Sequence, residues 1–253
     1  MVEINGLHKK YGQRSILRDI DLKIPKGKLI ALIGPNGAGK STLLSIIARL
    51  EKADLGTVSI DGKEIHRYTL TDFSLQLGFL KQHNQVDLKL KVTELVAFGR
   101  FPHSRGRLQD KDLQVIDQTI DRMNLTRLRD AFIDEISGGE RQRVFLAMIM
   151  AQDTDYILLD EPLNNLDMKH AVEIMQVSKR LVEEFGKTVI MVVHDINFAA
   201  NYADVVIGMK DGRIIFMDET QLIMQEERLK SLFDMEFRII RDRGQVICNY
   251  YKI

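Results

Sequence analysis

The chain has 253 residues in which 36 Lys and Arg balance 36 Asp and Glu, so no overall basic field calls for nucleic acid and no acidic excess points to disorder. That length suffices for a sizeable core with an additional lobe. The longest unbroken apolar run, Val144 to Ala151, falls far short of the roughly 20 residues of a spanning helix, the N-terminus lacks a signal-peptide pattern, and a lone Cys248 rules out an intrachain disulfide or cysteine metal cluster; a soluble, unsecreted chain is expected.

Residues 1 to about 27 read as strands around a turn at Tyr11-Gly12, with Ile16, Leu17, Ile20, Leu22 and Ile24 as apolar positions before the Pro25-Lys26-Gly27 break. The run Leu29 to Ile33 predicts a buried strand, and Leu43, Ile46, Ile47 and Leu50 predict a helix over 40–50. Between them lies Gly34-Pro35-Asn36-Gly37-Ala38-Gly39-Lys40-Ser41, a phosphate loop in its proper strand–loop–helix setting. Glycines at 34, 37 and 39 let the backbone curl its N–H groups inward, the helix N-terminus adds partial positive charge, and Lys40 supplies a full one. Ser41 is then the magnesium ligand, and the nucleotide-binding run extends to Thr42.

Further on, Asp61-Gly62 between Gly56 to Ile60 and Lys63 to Ile65 predicts a tight hairpin. From about 84 to 152 the character is mostly helical: Leu113, Ile116, Ile120 and Met123 mark one face, and 140–152 forms another helix, giving an inserted lobe. Strands return at Tyr156 to Leu159 and Val189 to Val193, separated by a helix whose Ile174, Val177, Leu181, Val182 and Phe185 share a face. After Gly212 a short strand, a helix near 219–233 and a hairpin turning at Arg243-Gly244 complete the chain. The fold class is α/β: a phosphate-loop core with a mixed sheet, an inserted α-helical lobe and an N-terminal antiparallel β portion.

Tyr156-Ile157-Leu158-Leu159-Asp160-Glu161 is an apolar strand that ends in two carboxylates, at the edge where open parallel sheets place ligands. Asp160 is positioned to hold magnesium, directly or through water. Glu161, one residue further, is the acceptor for the proton of an attacking water.

With these residues the chain resembles the nucleotide-binding subunits of ABC transporters over nearly its whole length. The resemblance implies one ABC ATPase domain over 1–253, with the helical subdomain at about 84–152 inserted in a RecA-like core and a C-terminal helix and hairpin over about 219–253. It also implies that Ser137, Gly138 and Gly139, at a helix N-terminus, cap the γ-phosphate of an ATP held by the phosphate loop of a second copy. Ile136 and Glu140 stand where leucine and glutamine are usual, and Glu140 adds negative charge close to a triphosphate. By the same resemblance Tyr11 stacks on adenine, and Gln82, with Gln85 as its nearby alternative, touches magnesium and water. His194 hydrogen-bonds the γ-phosphate, and Asp167 crosses the subunit boundary. Asn164-Asn165 replaces the usual Ser-Ala ahead of Leu166-Asp167.

Val96-Ala97-Phe98-Gly99-Arg100-Phe101-Pro102-His103, Phe145-Leu146-Ala147-Met148 and the stretch Glu161 to Asp167 are similar to ATPases that energise iron(III)–siderophore import, a group overlapping with haem and cobalamin importers. Arg100 and His103 read as lobe surface beside a helix stop at Gly99 and Pro102. The implied partners are a second copy of the chain, transmembrane permease subunits and, indirectly, a substrate-binding protein, at the cytoplasmic face of a membrane. Two rivals remain at this point: a non-transport ABC ATPase, and a phosphate-loop kinase, which leaves Ser137 to Gly139 unexplained.

Overall fold

The computed structural model describes residues 1–82 and 88–251, which fall into two compact units, Met1–Tyr68 with Ser178–Ile253, and Thr69–Val177. Gln85 and the start of the expected 84–152 lobe lie outside the described residues.

The first unit opens with β1 (Val2–Tyr11) and β2 (Arg14–Ile24), paired antiparallel with Val2 opposite Ile24 and Ile4 opposite Leu22. Ile4 and Leu7 are three apart yet both are buried, as are Leu17 and Ile20. Strict alternation would put one of each pair in water, but register shifts between them add the extra residue that turns both inward. β3 (Leu29–Ile33) is buried throughout. α1 (Lys40–Ile47) stops earlier than its apolar spacing predicts: Arg49 takes φ 59°, its guanidinium donates to the Tyr68 carbonyl at 3.1 Å, and Leu50 is left 62% exposed. β4 (Leu55–Ile60) and β5 (Lys63–Glu64) form the predicted hairpin, with Asp61 and Gly62 both at positive φ as a primed turn demands. β2, β1, β4 and β5 lie in that order in an antiparallel sheet.

The second unit begins with α2 (Leu70–Gln76), capped by the Thr69 hydroxyl, and β6 (Leu77–Leu80). Then come α3 (Val92–Phe98), α4 (Phe101–Ser104), α5 (Asp110–Arg122), α6 (Gly138–Ala151) and β7 (Tyr156–Leu159), and α7 (Met168–Glu183) leads back to the first unit. β6 and β7 pair in parallel, Leu77 opposite Tyr156 and Leu80 opposite Leu159. α3 ends hard against α6, because a Cβ on Gly99 would lie 2.1 Å from the Met148 carbonyl oxygen.

Three expectations change here. Arg100 is not lobe surface: it is buried, its Nε donates to Asp112 at 2.9 Å and its Nη1 to the carbonyl of Ala151 at 2.8 Å, at the end of α6. His103 bonds the neighbouring Gln152 carbonyl at 2.9 Å. The inward face of α5 consequently starts at Asp112, with Ile116, Thr119 and Ile120, while Leu113 stays 48% exposed. On α7, Ile174, Val177, Leu181 and Val182 are buried as predicted, but Phe185 lies past the helix end and is 40% exposed.

Back in the first unit are β8 (Thr188–Val192), α8 (Ile196–Tyr202), β9 (Val205–Lys210), β10 (Arg213–Glu219), α9 (Thr220–Ile223), α10 (Glu226–Phe233), β11 (Arg238–Asp242) and β12 (Gln245–Asn249). β3 runs parallel to both β8 and β9, and β10 adds antiparallel to β9, so the sheet is mixed. The helix expected near 219–233 is two helices: the chain bends at Met224, which buries Ile223 and Met224, the latter with its sulfur 3.9 Å from the Cys248 thiol. Each large aliphatic side chain so buried contributes about 1.5–3 kcal/mol.

Candidate functional site

The phosphate loop follows β3 and is shaped by positions that exclude a side chain. Gly34 has φ 145°, and a Cβ there would sit 1.9 Å from the Met209 carbonyl oxygen on β9. Gly39, at φ 99°, precedes α1 and would drive a Cβ to 2.7 Å from Leu17 and 3.0 Å from the Ile16 carbonyl. No side chain caps α1, and a helix N-terminus is a favourable place for an anion. Pro35 is half-buried, Asn36 and Gly37 are exposed, Ala38 is buried, and Ser41 and Thr42 are half-buried at the helix start. Lys40 is only 5% exposed, with Nζ donating to the carbonyls of Gly34 at 2.8 Å and Pro35 at 3.0 Å. The loop thereby places its ammonium over its own rim.

His194 reaches the same edge through strand register. Leu32 pairs with Val192, and the Val193 N–H donates to the Leu32 carbonyl at 3.2 Å, so Gly34 and His194 emerge from adjacent parallel strands in step. Asp195 then caps α8 by accepting from the Asn197 N–H at 2.8 Å. Tyr11, at the end of β1, is 48% exposed, donates its hydroxyl to Glu51 and has Lys9 Nζ 5.2 Å from its ring centroid. Burial of the phenol, followed by the Glu51 carboxylate, raises its pKa.

In the second unit the parallel pair β6 and β7 carries the next constellation to one edge. The Asp160 N–H donates to the Leu80 carbonyl at 2.9 Å, which aligns Gln82 with Asp160 and Glu161. Asp160 is 4% exposed. Glu161 sits at φ 51°, a conformation that costs a non-glycine residue on the order of 1 kcal/mol or more and that clusters at functional sites. Its Oε2 accepts from Gln82 Nε2 at 2.5 Å and from Asn164 Nδ2. The carboxylate is thus held in one orientation by two neutral amides.

Ser137 is the N-cap of α6, and Gly138 and Gly139 are its first residues. Gly138 has open space around it, whereas a Cβ on Gly139 would come within 2.5 Å of the His170 ring. Gln142 Nε2 donates to the Pro162 carbonyl at 3.1 Å, fixing α6 to the turn that contains Glu161. Asp167 is exposed and accepts from both the His170 N–H and His170 Nδ1 at 2.9 Å; the backbone N–H foremost lowers its carboxyl pKa.

Sequence reasoning overlooked Asn164 as the second holder of Glu161 and His170 as the wall behind Gly139. The signals were present: Asn164 follows Glu161 by three residues across a turn, and Asp167 to His170 is the spacing of a helix cap.

Comparison with known proteins follows the same lines. The family profile described as ABC transporter matches residues 17–164. The petrobactin import ATP-binding protein YclP of Bacillus subtilis is 47% identical over 251 residues, 99% of this chain and 100% of that one. The iron(3+)-hydroxamate import ATP-binding protein FhuC of the same organism is 40% identical over 96% of this chain and 92% of its own length. Among solved structures, the dimeric ATP-binding cassette MJ0796 in a post-hydrolysis state with ADP and Pi superposes with a TM-score of 0.77 at 32% identity, covering 87% of this chain and 99% of that one.

Proposed function

We propose that this chain, which belongs to the ABC transporter family and hydrolyses ATP, works as a head-to-tail pair that drives import of an iron(III)–siderophore complex through a membrane permease. The observation that carries the reading is the full-length likeness to a petrobactin and a hydroxamate import ATP-binding protein. The pairing is supported by the dimeric MJ0796 cassette, and by the single occurrence in this chain of both the phosphate loop and the Ser137-Gly138-Gly139 cap. Among the described residues no helix is long and apolar enough to cross a membrane, and the permease is read as a separate chain. A substrate-binding protein that delivers the siderophore completes the assembly.

In this mechanism the loop at 34–42 cradles the α- and β-phosphates with backbone N–H groups while Lys40 neutralises the terminal phosphates. Tyr11 lends a flat face to adenine. Magnesium would supply positive charge against the phosphate oxygens. Its holders would be Ser41, Gln82 and Asp160, a sparse set of hard oxygen donors of the kind magnesium takes when phosphates complete its shell. Glu161, aimed by Gln82 and Asn164, accepts the proton of the attacking water. His194 donates to the γ-phosphate and keeps the water in line. Ser137, Gly138 and Gly139 of the second copy close the site with a hydroxyl and a helix N-terminus, and Asp167 meets the facing copy. Closure is driven because ATP binds the paired state better than the open one.

The test is reconstitution of the chain with candidate permeases in vesicles. Binding protein loaded with a ferric siderophore should stimulate ATP hydrolysis several-fold over unloaded protein. Stimulation confined to haem- or cobalamin-loaded protein would overturn the substrate assignment.

A further inference from the structure

The Ser137 hydroxyl, which has to meet a γ-phosphate in the reading above, is already engaged. Its Oγ donates to Glu140 Oε2 at 2.8 Å, the Ser137 N–H donates to the same oxygen at 3.1 Å, and the Glu140 N–H returns a bond to Ser137 Oγ at 3.3 Å. This is a capping box, but its carboxylate grips the one hydroxyl the cap needs. A glutamine in the same box would be neutral beside a triphosphate. A glutamate is repelled by it, so its charge needs another resting place when phosphate arrives.

Such a place adjoins it. Glu140 lines a cavity of about 490 Å³ together with Arg127, Arg143, Lys169, His170 and Glu173. Arg143 lies one helical turn after Glu140 on α6, with its Nη1 3.1 Å from Glu173 and its buried Nε lacking a hydrogen-bond partner among the described residues. A buried guanidinium N–H without a hydrogen-bond partner is costly, as is the equally unpartnered Glu173 Oε2 beside it, and a carboxylate to which Arg143 donates would relieve the first of these costs. The Glu140 carboxyl is held below the usual carboxylate range, first by the Ser137 hydroxyl and then by its N–H, with Arg143 and Arg127 adding to the effect. It therefore stays charged throughout the neutral range, and the device responds to phosphate and not to protons.

We propose that Glu140 is a two-position gate on Ser137: bonded to the serine it withholds the hydroxyl, and turned toward Arg143 it releases that hydroxyl to the γ-phosphate, which raises the ATP concentration needed for pairing. Glu140 is on this account a positioning residue. The inference rests on the reading that Ser137 caps ATP across the pair.

The experiment measures ATP-driven dimerisation of the full chain by light scattering, in a Glu161→Gln background that prevents turnover, with monomer affinity followed separately by a fluorescent ATP analogue at low protein concentration. Glu140→Gln retains the capping box and should fold as the parent does. It should lower the ATP concentration for half-maximal dimerisation by about tenfold, the scale of one charge-assisted bond, and leave monomer affinity unchanged. Arg143→Gln should raise that concentration in the parent and have no effect in the Glu140→Gln background, the signature of coupling. An unchanged or increased ATP requirement in Glu140→Gln overturns the gate. Ser137→Ala separates the two ideas: if it pairs as the parent does, the capping role of Ser137 itself is wrong, whereas loss of pairing there together with an unaltered Glu140→Gln refutes the gate alone.

Discussion

Glu161→Gln should bind ATP as the parent does and hydrolyse it about 10²- to 10⁴-fold more slowly, the loss associated with removing a general base. The amide matches the carboxylate in shape, and its oxygen still accepts from Gln82 and Asn164, so the side chain keeps its place. Its backbone remains at φ 51° with no added strain, since glutamine suffers there as glutamate does. What disappears is an atom able to take a proton. Because the phosphate loop is untouched, ATP should accumulate on the protein, and pairing should become stable enough to isolate. Phosphate release and equilibrium nucleotide binding check both halves of the expectation. Ordinary turnover in this variant would remove Glu161 from the role of base.

Arg100→Met is expected to destabilise the Thr69–Val177 unit by about 3–5 kcal/mol, because it leaves Asp112 buried without its counter-charge. Arg100 also closes the end of α6 through the Ala151 carbonyl, while Asp112 caps α5 by accepting from the Gln109 N–H at 3.0 Å. The pair thus ties together two helices, one of which is capped by Ser137. Thermal melts should show the loss, and replacing Asp112 by Leu as well should recover part of it, short by the cap's share of about 1 kcal/mol. The pH dependence follows from sign. The Asp112 carboxyl is held below its ordinary value, first by the Gln109 N–H, with burial opposing and Arg100 assisting. Stability from a lowered carboxyl is present above its unfolded pKa of about 3.9 and is lost as the pH falls through the lower folded value. The penalty of Arg100→Met should therefore be complete at neutral pH and shrink in acid as Asp112 takes up a proton. Equal melting temperatures at neutral pH would show that the pair does not stabilise the unit.

Much of this was legible in the residues alone, where one local rule governs. The strand–loop–helix around Gly34 to Ser41, the primed turn at Asp61-Gly62, the carboxylates ending β7 and the terminal hairpin at Arg243-Gly244 each depend on neighbours in sequence. What escaped depends on partners far along the chain. Leu50 fits a helical stripe, yet α1 ends because Arg49 is drawn to the Tyr68 carbonyl. Arg100 reads as surface because nothing adjacent announces Asp112 and Ala151. The bend at Met224 follows from burial against Cys248, and His170 comes to matter through the absence of a side chain at Gly139. Glu140 was visible as a departure from the usual glutamine, but only the hydrogen bonds reveal that it holds the Ser137 hydroxyl.

In the proposed pair, a triphosphate held by the phosphate loop of one copy is covered by Ser137 to Gly139 of another. Its most direct test introduces cysteines at Asn36 and Gly138, an exposed loop position and one with open space around it, in the Glu161→Gln background. Cys248 stays out of the exchange, since it is buried and its thiol is pushed up to about 11. With ATP and an oxidant the two sites should join in a covalent dimer that fails to form without nucleotide or with either cysteine alone. Absence of that dimer, under conditions where equilibrium dialysis shows ATP bound to the chain, would contradict the account.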